Sequence, residues 1–218
     1  GFLNISGGVS NILGIPSEPG LWLIVAIVTG VAVVFTSISG IQKAMKHVSN
    51  INVYGYIVFL VFLLVFSNAP FLLNLATEAM GGFIDGSFDK ILLTGASADS
   101  QWPQWWTTFY WFSWMAWAPT SGAFMGRIAY SRKVKHVLGL YIGVCAAVSA
   151  IWMTLVSGTA LWTQKSGAAD LVASYNSGVE NVPYDMLESM PFSDVVIILF
   201  VILIFLSLVT ACNSNTIA

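Results

Sequence analysis

Charged side chains interrupt this chain only at intervals. Between them run five stretches with no Asp, Glu, Lys or Arg: Pro19–Gln42, His47–Thr77, Ser100–Gly126, His136–Gln164 and Val195–Ala218. They are 24, 31, 27, 29 and 24 residues long, with some loop at their ends. An α-helix rises about 1.5 Å per residue, so roughly 20 apolar residues cross a hydrocarbon core of about 30 Å. Every stretch is long enough. The predicted spans cover residues 21–39, 51–67, 105–127, 137–162 and 192–218, within a single transmembrane domain of residues 1–218.

The segments between the spans differ in kind. Residues 1–20 are rich in Gly, Ser, Asn and Pro and predict a loop or a short re-entrant turn. From Pro70 to Thr94 the apolar residues Leu72, Leu75, Ala76, Met80, Phe83, Phe88 and Ile91 recur every three or four positions, with Glu78, Asp85 and Asp89 largely between them. That pattern suits an amphipathic interfacial helix over 70–94, broken near Gly81-Gly82. A loop resting its apolar side on neighbouring spans suits it equally. Thr163 to Met190 predicts a loop holding a short helix near Tyr184–Met190 that Pro183 begins.

Composition agrees with a membrane solvent: 57% hydrophobic, 8% charged, mean hydropathy +0.81. The expected fold class is all-α integral membrane, with five transmembrane helices and one external amphipathic helix. Charge then gives an orientation. Six of the eight basic residues sit in two acid-free loops, Lys43 and Lys46 in one and Arg127, Arg132, Lys133 and Lys135 in the other. Cytoplasmic loops retain Lys and Arg, so Gly1 is expected on the external side of a cell (inner) membrane and Ala218 on the cytoplasmic side. The basic loop reads as a cytoplasmic anchor meeting membrane lipid headgroups, and no nucleic-acid partner is expected. No signal peptide is visible, and the abrupt start and stop suggest part of a larger transporter-sized protein. Cys145 and Cys212 fall on different spans and read as structural thiols.

Six of the nine tryptophans crowd into residues 102–117: Trp102, Trp105, Trp106, Trp111, Trp114 and Trp117. Indoles gather at membrane interfaces, which accounts for the first three, next to a polar turn. Trp114 lies eight residues further on, about 12 Å deeper at helical rise. Trp111, Trp114 and Trp117, three apart, fall along one side of a helix with a drift of about 60° per step. Packing between spans is one reading of such a stack. A cavity is the other, since an indole N–H unpaired in lipid is costly. Beside the stack, Ala118-Pro119-Thr120-Ser121-Gly122 predicts a break in the helix at Pro119 and Gly122. Broken helices at membrane depth line the sites of secondary transporters. Aromatic faces hold quaternary ammonium groups without a carboxylate, and the third span has none.

The run Phe109-Tyr110-Trp111-Phe112-Ser113-Trp114-Met115-Ala116-Trp117-Ala118-Pro119, followed by Gly126-Arg127-Ile128 and Arg132-Lys133-Val134-Lys135, resembles the signature of the betaine/choline/carnitine transporter family. Thr36-Ser37-Ile38-Ser39-Gly40, Ser49-Asn50-Ile51-Asn52 and Gly158-Thr159-Ala160 extend the resemblance along the chain. The resemblance implies a LeuT-type fold of two inverted repeats, with this chain covering roughly the sixth to tenth of twelve helices. It implies substrate binding at Trp114 and Trp117, Trp111 on the entry path, and often a homotrimer. Two departures follow. Ser113 stands where the family usually has Trp, which removes a wall of the cage and admits a larger or less methylated substrate. Thr120 replaces a Phe usual in sodium-coupled members, and Thr210 is followed by Ala211 rather than a second hydroxyl. Each missing oxygen weakens a hard-cation site. Thr120 and Thr210 therefore stay candidate ion-binding residues, with sodium symport and sodium-independent exchange both open.

The expected function is secondary transport of a quaternary-ammonium or related zwitterionic small-molecule substrate by alternating access. The alternatives are another amine or an amino acid on the same fold, or a non-transporting membrane scaffold. An enzyme is not expected, nor a cofactor or a metal site. The two histidines, His47 and His136, lie in inner loops, and no HExxH motif or Cys cluster is present. A channel is disfavoured by spans that carry no ring of charge.

Overall fold

A computed structural model describes residues 1–38, 42–96 and 100–217, with side chains omitted at 37–38, 42–45, 128 and 214–217. Ser39, Gly40, Asp99 and Ala218, used in the sequence reading, lie outside the described residues, as does the side chain of Lys43. The described residues form helices and turns with no strand. In order they are α1 (Phe2–Leu13), α2 (Pro19–Ile38), α3 (Gln42–Phe66), α4 (Ala69–Ile91), α5 (Phe109–Ile128), α6 (Val134–Leu138), α7 (Cys145–Trp152), α8 (Gly158–Ser166), α9 (Leu171–Ser177), α10 (Val182–Glu188) and α11 (Ser193–Ile217). A π-helical turn, Gln104–Thr108, leads into α5, and two more, Gly139–Val144 and Met153–Ser157, join α6, α7 and α8 into one helical run.

Four helical stretches are long and apolar enough to cross a membrane: Pro19–Thr36, Lys46–Phe66, Val134–Ser166 and Ser193–Asn213. These correspond to four of the five predicted spans. The 105–127 segment is helical, but its many indoles, hydroxyls and glycines leave it outside that group. Local signals set several ends. The Asn68 side chain accepts from the Phe71 N–H at 3.0 Å and caps α4, with Pro70 in the first turn. Asp170 caps α9 through the Ala173 N–H at 3.2 Å. Gly167 ends the long run in the left-handed region, φ 73°, where a side chain would be strained. Pro183 opens α10 as the sequence suggests.

Three expectations are corrected. Residues 2–13 are an α-helix rather than a loop, since Phe2, Leu3, Ile5, Val9 and Ile12 repeat at helical spacing. The amphipathic segment is one helix, α4, running through Gly81-Gly82 without a break. Glycine in a helix costs about 1 kcal/mol, less than leaving a turn of backbone unpaired beside a membrane. The expected loop over 40–50 is mostly the first turns of α3, where the polar residues of the loop continue the helix into the span.

The core forms where α11 packs on α3 and α10. Phe59 stacks on Phe200 at 4.9 Å between ring centroids, and Leu63, Leu187 and Leu203 close around them. Tyr56 meets Trp152 edge-on at 5.4 Å, which ties the long run to the same core. Polar bonds also cross between spans. The Asn52 Nδ2 donates to Ser207 Oγ at 2.7 Å, Tyr56 Oη lies 2.9 Å from the same oxygen, and Asn213 Nδ2 donates to Thr36 Oγ1 at 2.8 Å. α1 runs alongside α11, Gly1 against Leu208 and Gly8 against Val201, and its glycines allow the close approach. A Cβ on Gly7 would come 2.9 Å from the Glu180 carbonyl, and one on Gly8 2.7 Å from Tyr184 Oη. Cys145 and Cys212 are not joined in a disulfide.

Candidate functional site

The tryptophans of α5 share a helix, and that helix is continuous. α5 runs from Phe109 to Ile128 with Pro119 inside it, so the break expected at Pro119 and Gly122 is not present. Proline deletes one backbone donor and clashes with one carbonyl, at about 3 kcal/mol. Unwinding a whole turn would strand several polar groups, which costs more in a lipid setting. The π turn just before Phe109 supplies an irregularity instead, at the other end of the aromatic run.

Most of α5 is bare, Phe109, Tyr110, Phe112 and Met115 as much as the tryptophans. Trp111, Trp114 and Trp117 are 65%, 63% and 53% exposed, and α11 is the principal neighbour of α5 elsewhere in the chain. Trp114 sits midway along the stretch from Gln104 to Ile128, far from either polar end. Thr107, Tyr110, Trp111 and Trp114 line a shallow depression of about 270 Å³. Trp117 lies one turn beyond it and is not among its walls. Tyr110 and Thr107 are therefore additions to the sequence-derived set. Their spacing from Trp111 and Trp114, at i, i+3, i+4 and i+7 from Thr107, carried the signal. A Cβ on Gly122 would meet nothing within 4 Å, so the space beside the helix continues past the tryptophans. Ser113 and Thr120 are half-buried on the same helix.

Thr210 lies on α11, one turn beyond Ser207. Its hydroxyl donates to the carbonyls of Leu206 at 2.9 Å and Ser207 at 3.0 Å. A hydroxyl whose proton is directed into its own helix turns its oxygen outward, the attitude a cation ligand takes. α5 and α11 touch, so Thr120 and Thr210 sit on neighbouring helices. No cluster of three His, Cys, Asp or Glu side chains suited to a metal occurs among the described residues.

A family model described as BCCT, betaine/carnitine/choline family transporter, matches residues 1–218. The chain belongs to this family. An ectoine/hydroxyectoine transporter of Virgibacillus pantothenticus is 26% identical over 217 residues, which are 99% of this chain and 43% of that protein. A probable glycine betaine transporter of Desulfitobacterium hafniense is 29% identical over 219 residues, again 99% of this chain and 43% of the relative. Glycine betaine transporter OpuD of Bacillus subtilis is 27% identical over 219 residues, 99% and 42% of the two chains. The chain thus spans well under half the length of these BCCT relatives. The relatives are transporters, not enzymes. With its apolar helices and this family membership, the chain is multi-pass membrane protein.

Proposed function

We propose that this chain belongs to a secondary transporter of a quaternary-ammonium or related zwitterionic solute of the betaine type, working by alternating access. The observation that carries the reading is the row of indoles on α5 at Trp111, Trp114 and Trp117, with a depression walled by Trp111 and Trp114 and no acidic side chain between Ser100 and Gly126. An ammonium group over such rings gains about 2 kcal/mol or more per contact once desolvated. On this reading Trp114 and Trp117 hold the headgroup, Trp111 and Tyr110 flank its approach, and Ser113 leaves room beside it. The 104–128 segment then crosses the membrane as a fifth span, made tolerable by protein or a cavity on its polar side. The LeuT-type inverted repeat, the trimer and the orientation with Gly1 external belong to the same proposal, which the family membership supports.

The test uses the full-length transporter that carries this chain. Trp114→Leu and Trp117→Leu should each weaken glycine betaine uptake and the accompanying change in tryptophan fluorescence, by about thirtyfold in apparent affinity if one ring contact is lost. Parallel arms with ectoine and with an unmethylated amino acid locate the substrate class. Repeating them with and without sodium decides whether Thr120 and Thr210 serve a coupled ion. Unchanged affinity in both tryptophan variants would refute the aromatic site.

A further inference from the structure

A second, wholly apolar feature lies away from α5. Between α1, α2 and α11 runs a groove of about 340 Å³, walled by Ile5 and Val9 from α1, Leu21 and Val28 from α2, and Val201 and Phe205 from α11. The α2 and α11 walls belong to two of the helices able to cross a membrane, so the groove opens at membrane depth. From Leu21 to Val28 it follows α2 for about 10 Å at helical rise. No polar side chain lines it, and a small apolar groove gives water no partners. Hydrocarbon is the filling that its walls accept.

The connection from α1 to α2, which reaches the groove's rim at Leu21, carries an acid three residues earlier. Glu18 is exposed one turn before Trp22, whose N–H donates to the Glu18 carbonyl at 3.2 Å. The Trp22 indole donates to Ser17 Oγ at 3.0 Å, and Ser17 donates to Glu180 Oε1 at 3.4 Å. Asn11 Nδ2 donates to Glu188 Oε1 at 2.6 Å. Residues 1–42 and 166–218, which supply every wall and every rim group, contain neither Lys nor Arg. A phosphate with no amine finds no Lys or Arg of these segments, whereas an ammonium has Glu18, three residues before Leu21, and Glu180, bonded to Ser17, to pair with.

We propose that this groove binds one acyl chain of a phospholipid with an ammonium headgroup, whose amine pairs with the Glu18 and Glu180 carboxylates. The site is separate from the aromatic face and stands whether or not the transport reading does.

The experiment reconstitutes the full-length protein into vesicles containing photoactivatable phosphatidylethanolamine or phosphatidylglycerol. Both carry the same diazirine acyl chain, and adducts are mapped by mass spectrometry. Phosphatidylethanolamine should label the peptides holding Leu21–Val28 and Val201–Phe205 about fivefold more than phosphatidylglycerol, the effect of one charge near a headgroup. Glu18→Gln combined with Glu180→Gln should remove the preference, and Val28→Trp should lower both yields at the groove while labelling elsewhere holds. Equal labelling by the two lipids would reduce the groove to ordinary lipid contact. Absence of adducts there would mean that another part of the polypeptide fills it. Either result overturns the proposal, and the wild-type comparison alone decides if a variant fails to fold.

Discussion

Tyr184 shows how one side chain fixes an element that sequence reading left as a loop. It is buried to 1% exposure, and its hydroxyl donates to the Asn4 carbonyl of α1 while its ring packs edge-on against Phe200. Burial, opposed by a backbone hydrogen bond from the Gly8 region, pushes the phenol well above its ordinary value of about 10. The folded state therefore holds the proton more tightly than the unfolded chain. This contribution is complete below pH 10 and is lost as pH rises above it, because the unfolded chain ionises first. Tyr184→Phe should cost about 0.5–1.5 kcal/mol at neutral pH and flatten the fall in stability above pH 10, read from thermal unfolding across a pH series. Gly8→Ala attacks the same junction sterically, since its Cβ would come 2.7 Å from Tyr184 Oη. It should destabilise by about 1–3 kcal/mol in the same assay.

At the scale of an element, α5 and α4 teach one lesson. Both carry residues that punctuate structure in water, Pro119 and Gly122 in one, Gly81 and Gly82 in the other, and both helices run straight through them. Local propensity predicts breaks because it weighs one donor or one side chain against a solvated alternative. On the proposed reading α5 lies at membrane depth, where freed backbone groups have no solvated alternative and the ladder holds, while in α4 each glycine costs only about 1 kcal/mol, too little to break a helix of 23 residues. The prediction at this scale is Gly122→Ala. Its Cβ meets nothing within 4 Å, so helix stability should be unchanged or raised by up to about 1 kcal/mol. A marked drop in thermal unfolding temperature would mean that Gly122 needs its conformational freedom in another state of the protein. The caps behaved otherwise: Asn68, Asp170, Gly167 and Pro183 sit at helix ends, where sequence rules apply directly.

At the scale of the whole molecule, the bundle is joined by a polar clamp inside an apolar contact. Asn52 and Tyr56 of α3 meet Ser207 of α11, while Asn52 Oδ1 is buried without a hydrogen-bond partner among the described residues. Ser207→Ala leaves Asn52 with neither half of its amide paired in this contact, at about 1–3 kcal/mol. Combining it with Asn52→Leu removes the polar pair together and should recover part of that loss, so a double-mutant cycle on unfolding should report coupling of about 0.5–3 kcal/mol. Additive effects would show that the contact is packing alone. The clamp was not legible in sequence, because Asn52 and Ser207 lie 155 positions apart and each looks like an incidental polar residue.

What sequence alone determined was the solvent and the family. Four of the five uncharged runs of 24 to 31 residues are also apolar over at least 18 residues, the length and hydropathy that suit a bilayer span. The tryptophan run has a specific spacing, and a family match over residues 1–218 stands beside it. Tertiary structure decided which faces are covered. Only packing could set Tyr110 and Thr107 beside Trp111 and Trp114, lay α1 on Gly7 and Gly8, and open the groove behind Leu21. The physical reason is that every face of an apolar span is hydrophobic. Periodicity, which marks the buried face of a soluble helix, has no polar side to measure against, so neighbours alone assign the faces.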